Sequence, residues 1–106
     1  MYKVAIIGDG YTAAEILRLM AGHDQMKAVM VTSTENIGIN INRLYPQLRA
    51  FYDINCQATD LEQIKRQCQA VFLALPHGLS APMVKELTES GLKCVVLGAD
   101  FRLQDV

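Results

Sequence analysis

Two kinds of apolar run alternate along the chain. Val4-Ala5-Ile6-Ile7 is short, continuous and stopped by Gly8, the pattern of a strand buried on both faces. Ala13, Ile16, Leu17 and Met20 then recur at helical spacing, with Glu15 and Arg18 elsewhere on the surface and Gly22 as a stop. Ala28 to Thr32 predicts a second strand. From Ser33 to Ala58 the periodicity fades among Asn36, Gly38, Asn40, Asn42 and Pro46, which predicts loop with a short strand near Phe51 to Ile54. Thr59-Asp60-Leu61-Glu62 has capping-box spacing, and Leu61, Ile64 and Cys68 mark one face of the helix that follows. Ala70 to Leu75 predicts another buried strand, ended by Pro76. Pro82 suits a first helical turn, Val84 and Leu87 anchor that helix, and Gly91 closes it. Cys94 to Leu97 predicts the last strand. Strands alternating with helices imply βαβ units and a mostly parallel sheet.

Composition narrows the class. The chain has 106 residues, 51% hydrophobic and 20% charged, which fits one small globular domain over residues 1–106. A net charge of -1 points neither to nucleic acid nor to an acidic membrane surface. Val4 to Ile7 is too short for a signal-peptide core or a membrane span, so a cytoplasmic location is expected. The three cysteines, Cys56, Cys68 and Cys94, form no C-x-x-C pair and support neither a metal knuckle nor a disulfide scaffold. Cys68 and Cys94 fall inside apolar patterns and are expected in the core. The tail after the last strand is charged, and the chain reads as a piece of a longer protein.

The candidate chemistry sits at strand ends. Gly8-x-Gly10-x-x-Ala13 leaves the first strand and opens the first helix, the setting of a dinucleotide-binding turn. Gly8 permits the turn, Gly10 lets a pyrophosphate approach the backbone, and Ala13 is small enough for close helix–sheet packing. Asp9, Tyr11 and Thr12 complete the segment, whose free amides and positive helix end would face the phosphates. At the end of the second strand, where an acid would bind the ribose of NAD, stand Thr32, Ser33 and Thr34, with Glu35 later than usual. Hydroxyls there favour NADP, although no Arg or Lys joins them; the alternative is ordinary loop hydroxyls. Ala74, Leu75, Pro76 and His77, followed by Gly78, leave a later strand beside the same crevice. His77 is a candidate donor to cofactor or substrate, or a plain loop residue. Arg102 could clamp a phosphate or carboxylate, or pair with Asp100 at the surface.

Together these segments resemble the N-terminal part of N-acetyl-gamma-glutamyl-phosphate reductases. The resemblance is carried by Val4 to Gly8 with Gly10-Tyr11-Thr12 and Ala14-Glu15, by Val31-Thr32-Ser33, and by Tyr45 to Arg49. Its most specific parts are Val71 to Gly78 and Ala99-Asp100-Phe101-Arg102-Leu103. It implies an α/β, Rossmann-type doubly wound, mostly parallel sheet with helices on both faces. It also implies an NADPH-dependent step of arginine biosynthesis, in which an acyl phosphate is reduced to N-acetylglutamate semialdehyde through a cysteine thioester. The glycine turn, Ser33 and the strand end at Ala74 to Pro76 would then bind NADP, and Arg102 would approach the substrate phosphate. A homo-oligomer is the expected state of the full-length enzyme.

Several positions depart from that pattern. The turn is one residue shorter than the family's usual Gly-x-x-Gly-x-x-Gly, and its third glycine is Ala13. Thr34 and Ile39 stand where basic residues are frequent, which weakens 2′-phosphate binding, and Gly98 replaces a serine. The family's catalytic cysteine and general-base histidine belong to a later region, so these 106 residues are expected to hold cofactor without catalysing. Two alternatives remain: a related semialdehyde dehydrogenase, including the lysine-pathway reductase with a carrier-bound substrate, and a non-catalytic nucleotide-binding regulatory module.

Overall fold

The computed structural model describes residues 2–74 and 81–96. Tyr2–Ile7 (β1) pairs in parallel with Met26–Thr32 (β2) on one side and with Ala70–Leu73 (β3) on the other. Lys93–Val96 (β4) continues the sheet beyond β3, giving four parallel strands in the order β2-β1-β3-β4. The chain goes from β1 to one neighbour and then crosses to the other. The strand order therefore reverses at the β1/β3 boundary, where open parallel sheets form their ligand crevice.

β1 is buried from Val4 to Ile7 because it has cover on both faces. Val4 and Ile6 join Leu17 and Met20 of Tyr11–Ala21 (α1) in one core. Ala5 and Ile7 join Ile64 of Leu61–Gln67 (α3) and Leu87 of Ala81–Glu89 (α4) in the other. This is the period-two alternation of a strand, and it puts helices on both faces of the sheet. Each fully buried aliphatic side chain contributes about 1.5–3 kcal/mol. The expected doubly wound α/β arrangement is thus met; β1, β2 and β4 start a residue or two earlier than the sequence implies, and β3 ends at Leu73, with Ala74 already outside the strand.

The segment after β2 is more ordered than its composition suggests. Ile41–Leu44 forms a single helical turn (α2), and Pro46–Leu48 follows as a 3-10 turn. Asn40 caps α2 by accepting from Asn42 N at 3.1 Å, and Pro46 starts the 3-10 turn, where its missing N–H is harmless. Ile41, Leu48 and Tyr52 insert beside α1, and the buried Tyr52 hydroxyl donates to Leu17 O at 2.7 Å. The strand expected at Phe51 to Ile54 does not form. Asn42 Nδ2 donates to Tyr52 O at 2.8 Å and takes a carbonyl that a strand would have used. Only single bridges remain nearby, Asn40 with Asn55 and Thr32 with Gln57.

The cap of α3 is a second correction. Asp60, not Thr59, precedes the helix, and its Oδ1 accepts from Glu62 N at 3.1 Å and Gln63 N at 3.2 Å. Thr59 instead donates to Thr32 Oγ1 at 2.9 Å. The helix expected from Pro82 to Gly91 is present as α4, and Gly91 follows it at φ +94°, a value that favours glycine. Lys65 joins α3 to α4 through Glu86 Oε2 at 2.7 Å. Cys68 is buried as expected, and Cys94 only half so because β4 lies at the edge of the described sheet. Val95 and Val96 are exposed there.

Candidate cofactor-binding site

Gly8 stands at the reversal point. Its N–H donates to Thr32 O at 3.0 Å, and Ala74 N donates to Ile7 O at 2.8 Å, so the ends of β1, β2 and β3 are tied together. Gly8 has φ +117°, and a Cβ there would lie 2.3 Å from Ala74 O. Glycine is required both for the turn and for the close approach of β3. Gly10 differs. Its φ of -82° is ordinary, and a Cβ there would meet nothing within 4 Å. Space is open above the start of α1, which no side chain caps. The first amides of that helix have no partner within it and carry its partial positive charge. Ala13, fully buried, packs the helix onto β1.

A cleft of about 440 Å³ joins these features, lined by Gly8, Asp9, Gly10, Thr12 and Ala74 together with Thr32 to Glu35. The structure thus brings together eight of the expected residues: Gly8, Asp9, Gly10, Thr12, Thr32, Ser33, Thr34 and Ala74. Tyr11 and Ala13 do not line the cleft. Tyr11 is exposed on the outer side of the turn, edge-on to Tyr45 at 5.9 Å, and Ala13 lies beneath in the core. Leu75, Pro76, His77 and Arg102 lie outside the described residues. A larger depression of about 660 Å³ is elsewhere, beside the first half of β2 and Phe51, away from the strand ends. We place the site at the smaller cleft because open helix amides and a close-approach glycine converge there. Those features fit a pyrophosphate.

The polar wall of the cleft is internally bonded. Asp9 Oδ2 accepts from Ser33 Oγ at 2.7 Å and from Asn36 Nδ2. Ser33 Oγ accepts in turn from Glu35 N at 3.2 Å and Asn36 N at 2.9 Å. Tyr45 donates its hydroxyl to Asp9 O at 2.8 Å. Burial, and then the Asp9 charge, push the Tyr45 hydroxyl above its usual range. Asn36, Tyr45 and Thr59 were not identified from sequence as parts of this region. Tyr45 lies within a segment that carries the resemblance, and the capping-box spacing points Thr59 to the helix.

The thiols are placed for packing. Burial, with Asp9 adding, raises Cys56, and burial raises Cys68, so both are held as neutral thiols and are poor nucleophiles. Among the described residues no cluster of three or more His, Cys, Asp or Glu is arranged to hold a metal. Nor is any helix there long and apolar enough to cross a membrane.

A parallel sheet whose order reverses beside an open, glycine-lined helix start defines a dinucleotide-binding domain. Residues 3–106 match the semialdehyde dehydrogenase NAD binding domain, and the chain belongs to that family. It is 45% identical over 106 residues to the (LysW)-L-2-aminoadipate/(LysW)-L-glutamate phosphate reductase of Sulfolobus acidocaldarius, covering 99% of this chain and 30% of that protein. It is 45% identical over 105 residues to the N-acetyl-gamma-glutamyl-phosphate reductase of Heliobacterium modesticaldum, covering 98% of this chain and 30% of the relative. Its fold is like that of the aspartate semialdehyde dehydrogenase from Candida albicans solved with NADP. The TM-score is 0.73 at 17% identity, over 98% of this chain and 31% of the other. The chain thus spans roughly a third of the length of the proteins it matches.

Proposed function

We propose that this chain is the cofactor-binding domain of an N-acetyl-gamma-glutamyl-phosphate reductase, holding the nicotinamide dinucleotide that supplies hydride for reduction of the acyl phosphate to the semialdehyde. The single observation that carries the cofactor role is the turn at Gly8 to Gly10, where open helix amides face a cleft at the strand-order reversal. The substrate rests on the resemblance at Val71 to Gly78 and Ala99 to Leu103, and on relatives of that name. The chain's role is to bind and orient. α1 meets the pyrophosphate, and the wall from Thr32 to Glu35 meets the adenosine ribose. The thioester chemistry is assigned to residues beyond these 106, because Cys56 and Cys68 are buried and neutral and Cys94, on β4, does not line the cleft. Arg102 is proposed to meet the substrate phosphate, and His77 to border the cofactor. The full-length enzyme is proposed to be a cytoplasmic homo-oligomer.

NADP is the form that the resemblance implies and that the Candida albicans structure contains. In this chain the choice between NADP and NAD falls to the residues at the end of β2. A second reading is favoured by the equal identity to the Sulfolobus acidocaldarius reductase: a carrier-bound substrate of the same acyl-phosphate chemistry. The experiment is phosphate-dependent oxidation of N-acetylglutamate semialdehyde by the full-length protein, followed as reduced cofactor at 340 nm. Turnover supports the reading. Turnover only with the carrier-linked semialdehyde moves the assignment to the second reading. Turnover by the 106-residue chain alone would refute the proposed division of labour.

A further inference from the structure

We infer that the ribose side of this cleft selects against a 2′-phosphate, so the domain prefers NAD(H) to NADP(H), and that Asp9 is the specificity-determining residue. The inference rests on the domain's binding a nicotinamide dinucleotide. It revises the form of cofactor expected from the resemblance.

Most donors at the end of β2 are turned to the protein's own acceptors. A 2′-phosphate brings nearly two negative charges and needs hydrogen-bond donors or cations. Ser33 has one hydroxyl proton, and it goes to Asp9 Oδ2 at 2.7 Å. The amides of Glu35 and Asn36, which could form an anion-binding concavity, instead donate to Ser33 Oγ. The Asn36 side-chain amide donates to Asp9 as well. Thr32 is fully buried, and its hydroxyl is paired with Thr59. Four donor groups of this wall are thus committed to Asp9, directly or through Ser33.

Thr12 and Thr34 leave exposed hydroxyls at the cleft, but the charge that the wall presents to a ligand is negative. Asp9 and Glu35 both line the cleft, and no lysine or arginine lines it among the described residues. Asp9 Oδ1 makes no hydrogen bond among the described residues and is open to a donor. A ribose 2′-hydroxyl supplies such a donor, and a 2′-phosphate does not. A phosphate would meet a carboxylate that the network holds in position, so it could not be relieved by a simple rotation. β4 cannot easily bring a cation to this wall. It lies three strand positions from β2, roughly 14 Å across the sheet at the usual strand spacing. Asp9 also occupies the shortened turn, so the feature follows from this chain's own sequence. The acid sits in the glycine turn, facing the end of β2, and takes the part usually played by an acid on β2 itself.

The test is a fluorescence titration of the purified full-length protein with NADH and with NADPH. Competition by 5′-AMP and by adenosine 2′,5′-bisphosphate isolates the ribose end. We expect NADH to bind at least tenfold more tightly than NADPH, and 5′-AMP to compete better than the bisphosphate. Asp9→Asn keeps an acceptor for Ser33 while removing the charge, and should shrink the NADH preference to threefold or less. Its unfolding midpoint, measured in urea, checks that the turn persists. Tighter binding of NADPH by the unmodified protein overturns the inference and leaves the dinucleotide reading standing. An unchanged preference in a folded Asp9→Asn overturns the role of Asp9. Failure to bind either nucleotide removes the dinucleotide reading and the inference together.

Discussion

Replacing Gly8 by alanine should break the junction of three strands, and the cost can be worked from its geometry. The residue would hold φ at +117°, where a side chain costs on the order of 1–3 kcal/mol. Its Cβ would sit 2.3 Å from Ala74 O, a backbone atom that no rotamer change can move. Relief requires the turn and β3 to part, loosening Gly8 N to Thr32 O and Ala74 N to Ile7 O, each contributing about 1 kcal/mol. The sum is about 3–5 kcal/mol, against roughly 5–15 kcal/mol for a whole domain. At about 4–8 °C per kcal/mol, the melting temperature should fall by on the order of 12 °C or more. Urea and thermal unfolding followed by far-UV circular dichroism measure this. Gly10→Ala is the matched control. With an ordinary φ and open space, it should cost less than about 1 kcal/mol yet weaken dinucleotide binding at least tenfold. If Gly8→Ala unfolds at the wild-type midpoint, the close-approach reasoning is wrong.

Further consequences can be measured on the same chain. Cys56 and Cys68 should resist a thiol reagent at pH 8 in the native state while half-buried Cys94 reacts first; three equally fast thiols would contradict the packing. Burial raises both buried thiols, so they stay neutral in the fold after the unfolded chain begins to ionise near pH ~8.5. Their contribution to stability is therefore complete below that pH and is lost as pH rises toward the folded values. Tyr45 and Tyr52, also raised by burial, extend the trend above pH ~10. The urea midpoint should decline from pH 8 to 10, and a rise would refute the sign. Tyr52→Phe should cost about 1 kcal/mol by removing the hydrogen bond to Leu17 O, with no effect on cofactor affinity. Asp60→Ala should cost about 1 kcal/mol through loss of the α3 cap, whereas Thr59→Ala leaves that cap intact.

The strands and long helices were legible because their signal is local. The continuous run Val4 to Ile7 and the spacing of Ala13, Leu17 and Met20 follow from which faces are covered. The turn at Gly8 was legible for the same reason, although the backbone of Ala74 that forces glycine there is 66 residues away. The stretch from Ser33 to Ala58 was misread because its order comes from side chains bonding to distant backbone. Asn42 reaches Tyr52 O, Tyr52 reaches Leu17 O and Tyr45 reaches Asp9 O. Such bonds leave no periodicity. Thr59 and Asp60 are both good capping residues, and only the fold assigns one to the helix and the other to Thr32. Asp9 was identified as a site residue from its position in the turn. Its commitment to Ser33 and Asn36 is long-range and could not be read from the turn.

The place of β1 at the centre of the sheet has a cost during synthesis. It is made before the other three described strands, yet its β3 neighbour begins at Ala70. At about 5–20 residues per second, the β3 side of β1 stays unpaired for on the order of 3 to 13 s after it is made. During that time Ala5 and Ile7 lack Val71, Leu73 and Leu87, the residues that later cover them. The nascent chain thus carries an apolar, β-branched edge with open hydrogen-bonding groups until two-thirds of these residues exist. A ribosome that slows before Ala70 would lengthen that exposure, and a holding chaperone would find its binding segment in the first strand.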